Sequence, residues 1–207
     1  ALEKRLTAHA ANLIPGRAQI GHDDQVSLFT EEAITVSATV ERVAAPGDVP
    51  RAVAGYLAAH NLPTRLKVAP DATLKDIPWT EQTALGVTFG PADDQDMVGV
   101  SRAFSAVAET GTLVLTSAPT TPTTLNYLPD THIVVVAAAS IVGTYEDVWT
   151  RLRAVAGPGG ATMPQSMPRV VNWITGPSRT GDIELTLLLG AHGPRRLHIV
   201  IVDDETA

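Results

Sequence analysis

The sequence predicts an α/β protein, with a mostly parallel sheet covered on both faces in a three-layer α/β/α arrangement. Three observations predict it. Stretches with strand character alternate with stretches of helical spacing along the chain, as the crossovers of a parallel sheet require. Ile133–Val136 is apolar at every position, the pattern of a strand buried on both faces, and Leu197–Val202 is a second apolar strand. Finally, 207 residues with 44% hydrophobic and 18% charged content are enough for one folded domain with a substantial core. The expected division is an N-terminal helix and linker over 1–21 and a single α/β domain over 22–207.

The elements follow in order. Leu2, Leu6, Ala10 and Leu13 mark one face of a helix that stops before Pro15-Gly16, and residues 15–21 read as a linker. A second helix runs from Asp23 or Asp24 to Ala33 with Val26, Phe29 and Ala33 inward, and Thr35–Val43 alternates as a strand. Asp48 is a suitable N-cap for a helix carrying Val49, Val53, Tyr56 and Leu57, with Pro50 tolerated in its first turn. Arg65–Val68, Gly86–Phe89 and Val98–Ser101 are short strands, and the polar stretch 70–80 reads as turns with Trp79 as a packing anchor. Asp93-Asp94-Gln95-Asp96 lacks the glycine and terminal glutamate of a calcium loop and reads as solvated.

Thr112–Leu115 reads as a central strand, entered from Glu109 through Gly111. A loop rich in Thr and Pro follows over 117–127. Thr144 caps a helix bearing Val148, Trp149, Leu152 and Val155, which Gly157-Pro158 stops. A flexible loop then covers 157–167, Arg169–Thr175 forms a strand, and Asp182–Leu189 forms a helix ended by Gly190.

Composition excludes several classes of function. Fifteen basic against 22 acidic residues give a net charge of −7, with no Lys/Arg cluster, which argues against nucleic-acid or anionic-membrane partners. The chain has no cysteine, so it holds no disulfide, no thiolate zinc site and no Cys-ligated iron–sulfur cluster. The longest apolar run, near 133–139, is too short to span a bilayer. Ala1–Arg5 carries charge but no apolar run follows it, so no signal peptide is expected, and the start at Ala1 points to a processed or trimmed terminus. A cytoplasmic location is expected.

Two stretches carry candidate chemistry. Gly176-Pro177-Ser178-Arg179-Thr180 falls between a predicted strand and a predicted helix, at what an open α/β sheet makes its ligand-binding edge. Helix amides, the Ser178 and Thr180 hydroxyls and the Arg179 fork suit a carboxylate or phosphate. Asp182 and Glu184 equally suit the first turn of a structural helix. In the other stretch, Glu109 beside Thr110, Gly111 and Thr112 is the candidate catalytic or substrate-orienting group; the competing reading is a carboxylate that fixes the turn. His132, at the start of a buried strand, and His192, before Gly193-Pro194, can each serve as general acid or base, against the blander reading of a hydrogen-bonded structural histidine. No metal motif, dinucleotide fingerprint, phosphate loop or nucleophile elbow is present.

These stretches also carry a resemblance. Ala108–Leu115, Leu128-Pro129 with His132–Val136, then 176–180 with Asp182-Ile183-Glu184, and finally His192-Gly193-Pro194 occur in this order in one group. The chain resembles the lactate utilisation protein C group (LutC/YkgG) of the LUD-domain proteins. The resemblance implies the NagB/RpiA/CoA-transferase-like superfold. It also implies a cluster-free subunit of a cytoplasmic system oxidising L-lactate to pyruvate, contributing assembly, small-carboxylate binding or both. No cofactor is then expected in this chain, and iron–sulfur subunits are the expected partners. Two other readings stay open: a stand-alone enzyme of the superfold acting on a small phosphorylated or acyl metabolite, and a non-catalytic scaffold. Many members of the group place a Gly-Arg pair before the Leu-Pro; here that loop reads Thr121-Pro122-Thr123-Thr124-Leu125, so a basic contact is lost or supplied from elsewhere.

Overall fold

The computed structural model describes residues 13–156, 167–180, 188–189 and 192–203. Most of the helix expected over 2–13, the loop over 157–166 and most of the helix expected over 182–189 lie outside the described residues.

Six strands form the main sheet: β1 (Thr39–Val43), β2 (Arg65–Val68), β3 (Gly86–Phe89), β4 (Val98–Arg102), β7 (Thr131–Ala137) and β12 (Arg196–Val202). Their spatial order is β1-β12-β7-β4-β2-β3, and every pair is parallel. All seven residues of β7 are buried. Alternation along β7 and β12 divides them between two cores. Ile133, Val135, Val200 and Val202 meet Val53, Leu57, Leu74 and Trp79 on one face. Val134, Val136, Leu197, Ile199 and Ile201 meet Val26, Phe29 and Ala33 on the other. Both strands therefore need apolar residues at nearly every position, which is why their sequences give them away.

Helices α1 (His22–Thr35), α2 (Val49–Ala59) and α3 (Ala72–Asp76) pack on the sheet, and α4 (Tyr145–Ala156) lies farther out. Asp23 and Asp24 suit the positive N-terminal end of α1, and Val26, Phe29 and Ala33 form its buried stripe. The helix runs on to Thr35, into the stretch expected to be strand. It closes with Ser37 in the left-handed region (φ 71°) and the Ala38 N–H returning to the Ala33 carbonyl, so β1 cannot begin before Thr39. Helix α2 forms where expected, but Asp48 does not cap it. Asp48 already has helical backbone angles, and its carboxylate accepts from Arg51 at 2.6 Å.

The stretch expected to be all turns contains α3, capped by Asp71 accepting from the Thr73 N–H at 3.0 Å. Trp79 is the expected anchor: it is buried, and its indole N–H donates to the Leu74 carbonyl at 2.7 Å. Asp96 pairs with Lys67 at 3.4 Å and accepts from the Asp93 N–H, so the acidic loop folds onto itself. Thr144 and Asp147 cap α4 reciprocally, with the Thr144 N–H and O–H donating to Asp147 at 2.9 and 2.8 Å. Val148 and Leu152 are buried, whereas Val155, expected inward, is 69% exposed.

Within α2, Gly55 is exposed and a Cβ built there meets nothing within 4 Å. Gly55→Ala is expected to stabilise the protein by about 0.5–1 kcal/mol in urea melts, through helix propensity and a less flexible unfolded chain.

The layers hold one addition. A second sheet, in the order β8-β5-β6-β9, joins α1 on one side of the main sheet. It comprises β5 (Ser105–Val107), β6 (Thr112–Thr116), β8 (Ile141–Val142) and β9 (Val171–Thr175). The strand expected over 112–115 is β6, and it is central here, antiparallel to both β5 and β9, not in the main sheet. Leu113 and Leu115 face the main sheet's core, and Val114 faces α4 with Val148 and Leu152. Cover on both sides gives β6 the apolar sequence of a parallel-sheet strand.

Candidate functional site

A cleft of about 380 Å³ opens between the two sheets. It collects residues from three places in the sequence. Strand β9 ends at Thr175, and Gly176 turns the chain with φ 73°; a Cβ there would lie 2.4 Å from the Val36 carbonyl oxygen, so only glycine fits. The turn delivers Ser178 and Arg179, and the Ser178 N–H donates to the Pro194 carbonyl at 2.8 Å. That bond draws the loop of His192 and Gly193 to the same rim. The floor comes from the second residues of β7 and β12, His132 and Leu197, which are register partners. Asn126 and Tyr127 supply a third side.

This places the cleft at the N-terminal ends of the main strands. The expectation of a C-terminal sheet edge rested on residues 176–180 following a parallel strand, and β9 is antiparallel in the second sheet. The helix expected at 182–189 is also revised at its described end. Leu188–Leu189 forms β11, paired antiparallel with β10 (Arg179–Thr180), so the described residues supply no helix N-terminus there.

Arg179 lines the cleft, yet one of its nitrogens is already engaged. Its Nη2 donates to the Val36 carbonyl at 3.2 Å and to the Ser37 hydroxyl, capping the C-terminal end of α1. Arg179→Ala is therefore expected to lower stability by about 1 kcal/mol, the scale of a cation at a helix C-terminus, as well as to weaken an anionic ligand. Paired thermal melts and binding titrations of the variant separate the two effects.

His132 is fully buried, and burial pushes its pKa down to about 3, so the ring is neutral at neutral pH. Its Nε2 lies 2.6 Å from the Ser101 hydroxyl on β4. Its Nδ1 is buried and has no partner among the described residues. Asn172 on β9 has a similar profile: its Oδ1 accepts from the Tyr127 hydroxyl at 2.7 Å, while its Nδ2 has no partner among the described residues.

The stretch around Glu109 does not line this cleft. Glu109 sits in a one-turn 3-10 helix, Ala108–Thr110, packed against α1. Its N–H donates to the Gly143 carbonyl at 3.2 Å, and its carbonyl accepts from Arg17. Thr110 and Thr112 bond each other at 2.7 Å, and each bonds the Tyr145 hydroxyl at 3.0 Å. Thr112 also bonds Thr175 at 2.7 Å, and the Tyr145 ring lies 5.1 Å from that of Trp173, so this cluster backs onto cleft residues of β9 without lining the cleft itself. His132, Ser178, Arg179 and His192 are thus brought together, with Thr180 next in the chain, while Glu109, Thr110, Gly111 and Thr112 stand apart from them.

Sequence reading missed Ser101, Asn126, Tyr127 and Asn172. Ser101 had a signal: it is a polar residue in an otherwise apolar strand pattern, on the face that carries Val134 in the neighbouring strand. Tyr127 and Asn172 lie 45 residues apart, and nothing local marks them as partners.

Comparison with known proteins gives a consistent picture. The family profile described as "LUD domain" matches residues 92–202. Lactate utilization protein C of Geobacillus kaustophilus is 29% identical over 201 residues, covering 94% of this chain and 78% of that protein. The protein of the same name from Bacillus subtilis is 33% identical over 112 residues, covering 54% of this chain and 45% of its own. The chain spans about half the length of the first curated relatives, 47% and 49% of two Geobacillus proteins. Among solved structures, a DUF162 family protein from Deinococcus radiodurans superposes with a TM-score of 0.62 at 21% identity, over 88% of this chain and 99% of that one. That likeness supports the fold.

Proposed function

We propose that this chain, which belongs to the LUD domain family, acts in lactate utilisation by holding a small carboxylate in the cleft between its two sheets. The observation that carries the reading is the cleft's set of donors. Arg179, Ser178, His132 and His192 line one concave site in a chain of net charge −7. A cleft of this size with a few convergent polar groups is the usual form of a small-ligand site. The relatives' shared name supports lactate or its oxidation product as the carboxylate.

Electron transfer belongs elsewhere in such a system. The chain has no cysteine with which to hold an iron–sulfur cluster, and iron–sulfur subunits are the partners we propose. The isolated protein is expected to be colourless and unable to reduce a dye with L-lactate. Adding it to the proposed iron–sulfur subunits is expected to restore or enhance lactate-dependent dye reduction. A stoichiometric flavin or iron–sulfur spectrum from this chain alone would contradict the proposal, as would dye reduction that ignores its presence.

A further inference from the structure

We infer that the cleft selects an α-hydroxy or α-oxo acid larger than lactate, whose apolar side chain enters a gap between Tyr127 and Ser178 that Gly193 leaves open. The inference rests on the carboxylate reading of the cleft and adds the size class of the acid and the residue that sets it.

Gly193 carries the inference furthest. Unlike Gly111 and Gly176, it is not in the left-handed region, and a Cβ built on it clashes with nothing. The nearest atoms to that Cβ would be the Ser178 Cβ at 3.4 Å, the Ser178 Oγ at 3.7 Å and the Tyr127 Cδ1 at 4.0 Å. These are ordinary contact distances, so neither backbone conformation nor packing requires glycine at this position. What the missing side chain leaves is space, and Gly193, Ser178 and Tyr127 all line the cleft.

Tyr127 gives that space its character. The residue is 46% exposed, yet its hydroxyl donates to the Asn172 Oδ1 on β9 at 2.7 Å. A ring tethered at its far end is a fixed wall, and an exposed aromatic wall in a concave site suits an apolar group that covers it. Ile174, Pro194 and Leu197 add to the apolar lining.

Size points the same way. The cleft's volume of about 380 Å³ falls within the roughly 300–1,000 Å³ of sites that take drug-sized ligands. Lactate, with one methyl group beside its hydroxyl and carboxylate, fills only part of it. A longer apolar group in place of the methyl would gain about fourfold in affinity for each CH₂ buried.

The test is a pair of amide NMR titrations of the full chain, one with L-lactate and one with L-α-hydroxyisocaproate, which carries isobutyl in place of lactate's methyl. The larger acid is expected to bind at least about tenfold more tightly, the added carbons gaining about fourfold each where fully buried and less where the cleft is open. Gly193→Ala is expected to narrow that ratio, and Gly193→Val to bring it to about threefold or less, because each fills the gap. Equal or tighter binding of L-lactate by the wild type overturns the inference and leaves the carboxylate reading standing. No saturable shift with either acid overturns the carboxylate reading and the inference together. A preference for the larger acid that survives undiminished in both variants overturns the gap at Gly193 as its seat.

Discussion

Gly111→Ala is expected to cost more than about 4 kcal/mol, enough to unfold much of the protein at physiological temperature. Gly111 lies in the left-handed region (φ 62°), closing the turn between the Glu109 segment and β6. A Cβ there would sit 2.3 Å from the Ala33 nitrogen, 2.6 Å from the Glu32 carbonyl carbon and 2.7 Å from the Ala33 Cα. All three are backbone atoms of α1, so no rotamer change relieves the overlap. Helix α1 must instead move off the core that Val26, Phe29 and Ala33 share with β7 and β12. Backbone strain at a positive φ adds to the packing loss. Urea melts of the variant would show a sharply lower midpoint; an unfolding free energy within about 1 kcal/mol of wild type would mean that α1 does not rest on this turn.

The second large effect is acid sensitivity from two buried histidines. His198 on β12 stacks on the Tyr56 ring, with centroids 3.9 Å apart, and its Nδ1 bonds the Thr39 hydroxyl at 2.9 Å. Burial pushes its pKa down to about 4, with the nearby His60 adding to the effect and a hydrogen bond to the Thr39 backbone opposing it. His132 lies lower still, at about 3, from burial alone. Both folded values lie below the ordinary 6.5, so between these limits the unfolded chain binds the extra protons. Stability is complete above pH 6.5 and falls as the pH drops toward 4, by up to about 1.4 kcal/mol per pH unit for each histidine. Wild type and His198→Gln should therefore differ in slope between pH 7 and pH 5, the variant being flatter. Parallel slopes would show that His198 is charged or solvated in the folded protein.

The parts of the fold that were legible in the sequence are those where one residue pattern has one structural meaning. Ile133–Val136 and Leu197–Val202 could only be strands buried on both faces. Val26, Phe29 and Ala33, and Val148 with Leu152, could only be helix stripes. Strand β6 shows the limit of that reasoning. Its sequence reports burial on both sides, and burial by α4 and the main sheet looks the same as burial within a parallel sheet. Strands β5 and β8 are three and two residues long, too short to show a period at all. The cleft was legible in part. Ser178, Arg179, His132 and His192 stood out as chemistry-bearing residues in turns or at a strand start. Their convergence depends on the bond between Ser178 and Pro194 and on the antiparallel course of β9, both of them products of tertiary structure. Glu109 stood out for the same reason, a carboxylate beside a glycine. The demand met at that turn is backbone pairing with Gly143 and Arg17 and close contact with α1.

The central claim is that the cleft between the sheets is the carboxylate site, and an amide NMR titration of the chain with L-lactate tests it most directly. The account predicts saturable shifts centred on Ser178, Arg179, His192 and Gly193, accompanied by the His132 ring, with the Glu109–Thr112 segment moving little. Shifts centred on Glu109–Thr112, or no saturable shift at millimolar lactate, would contradict it.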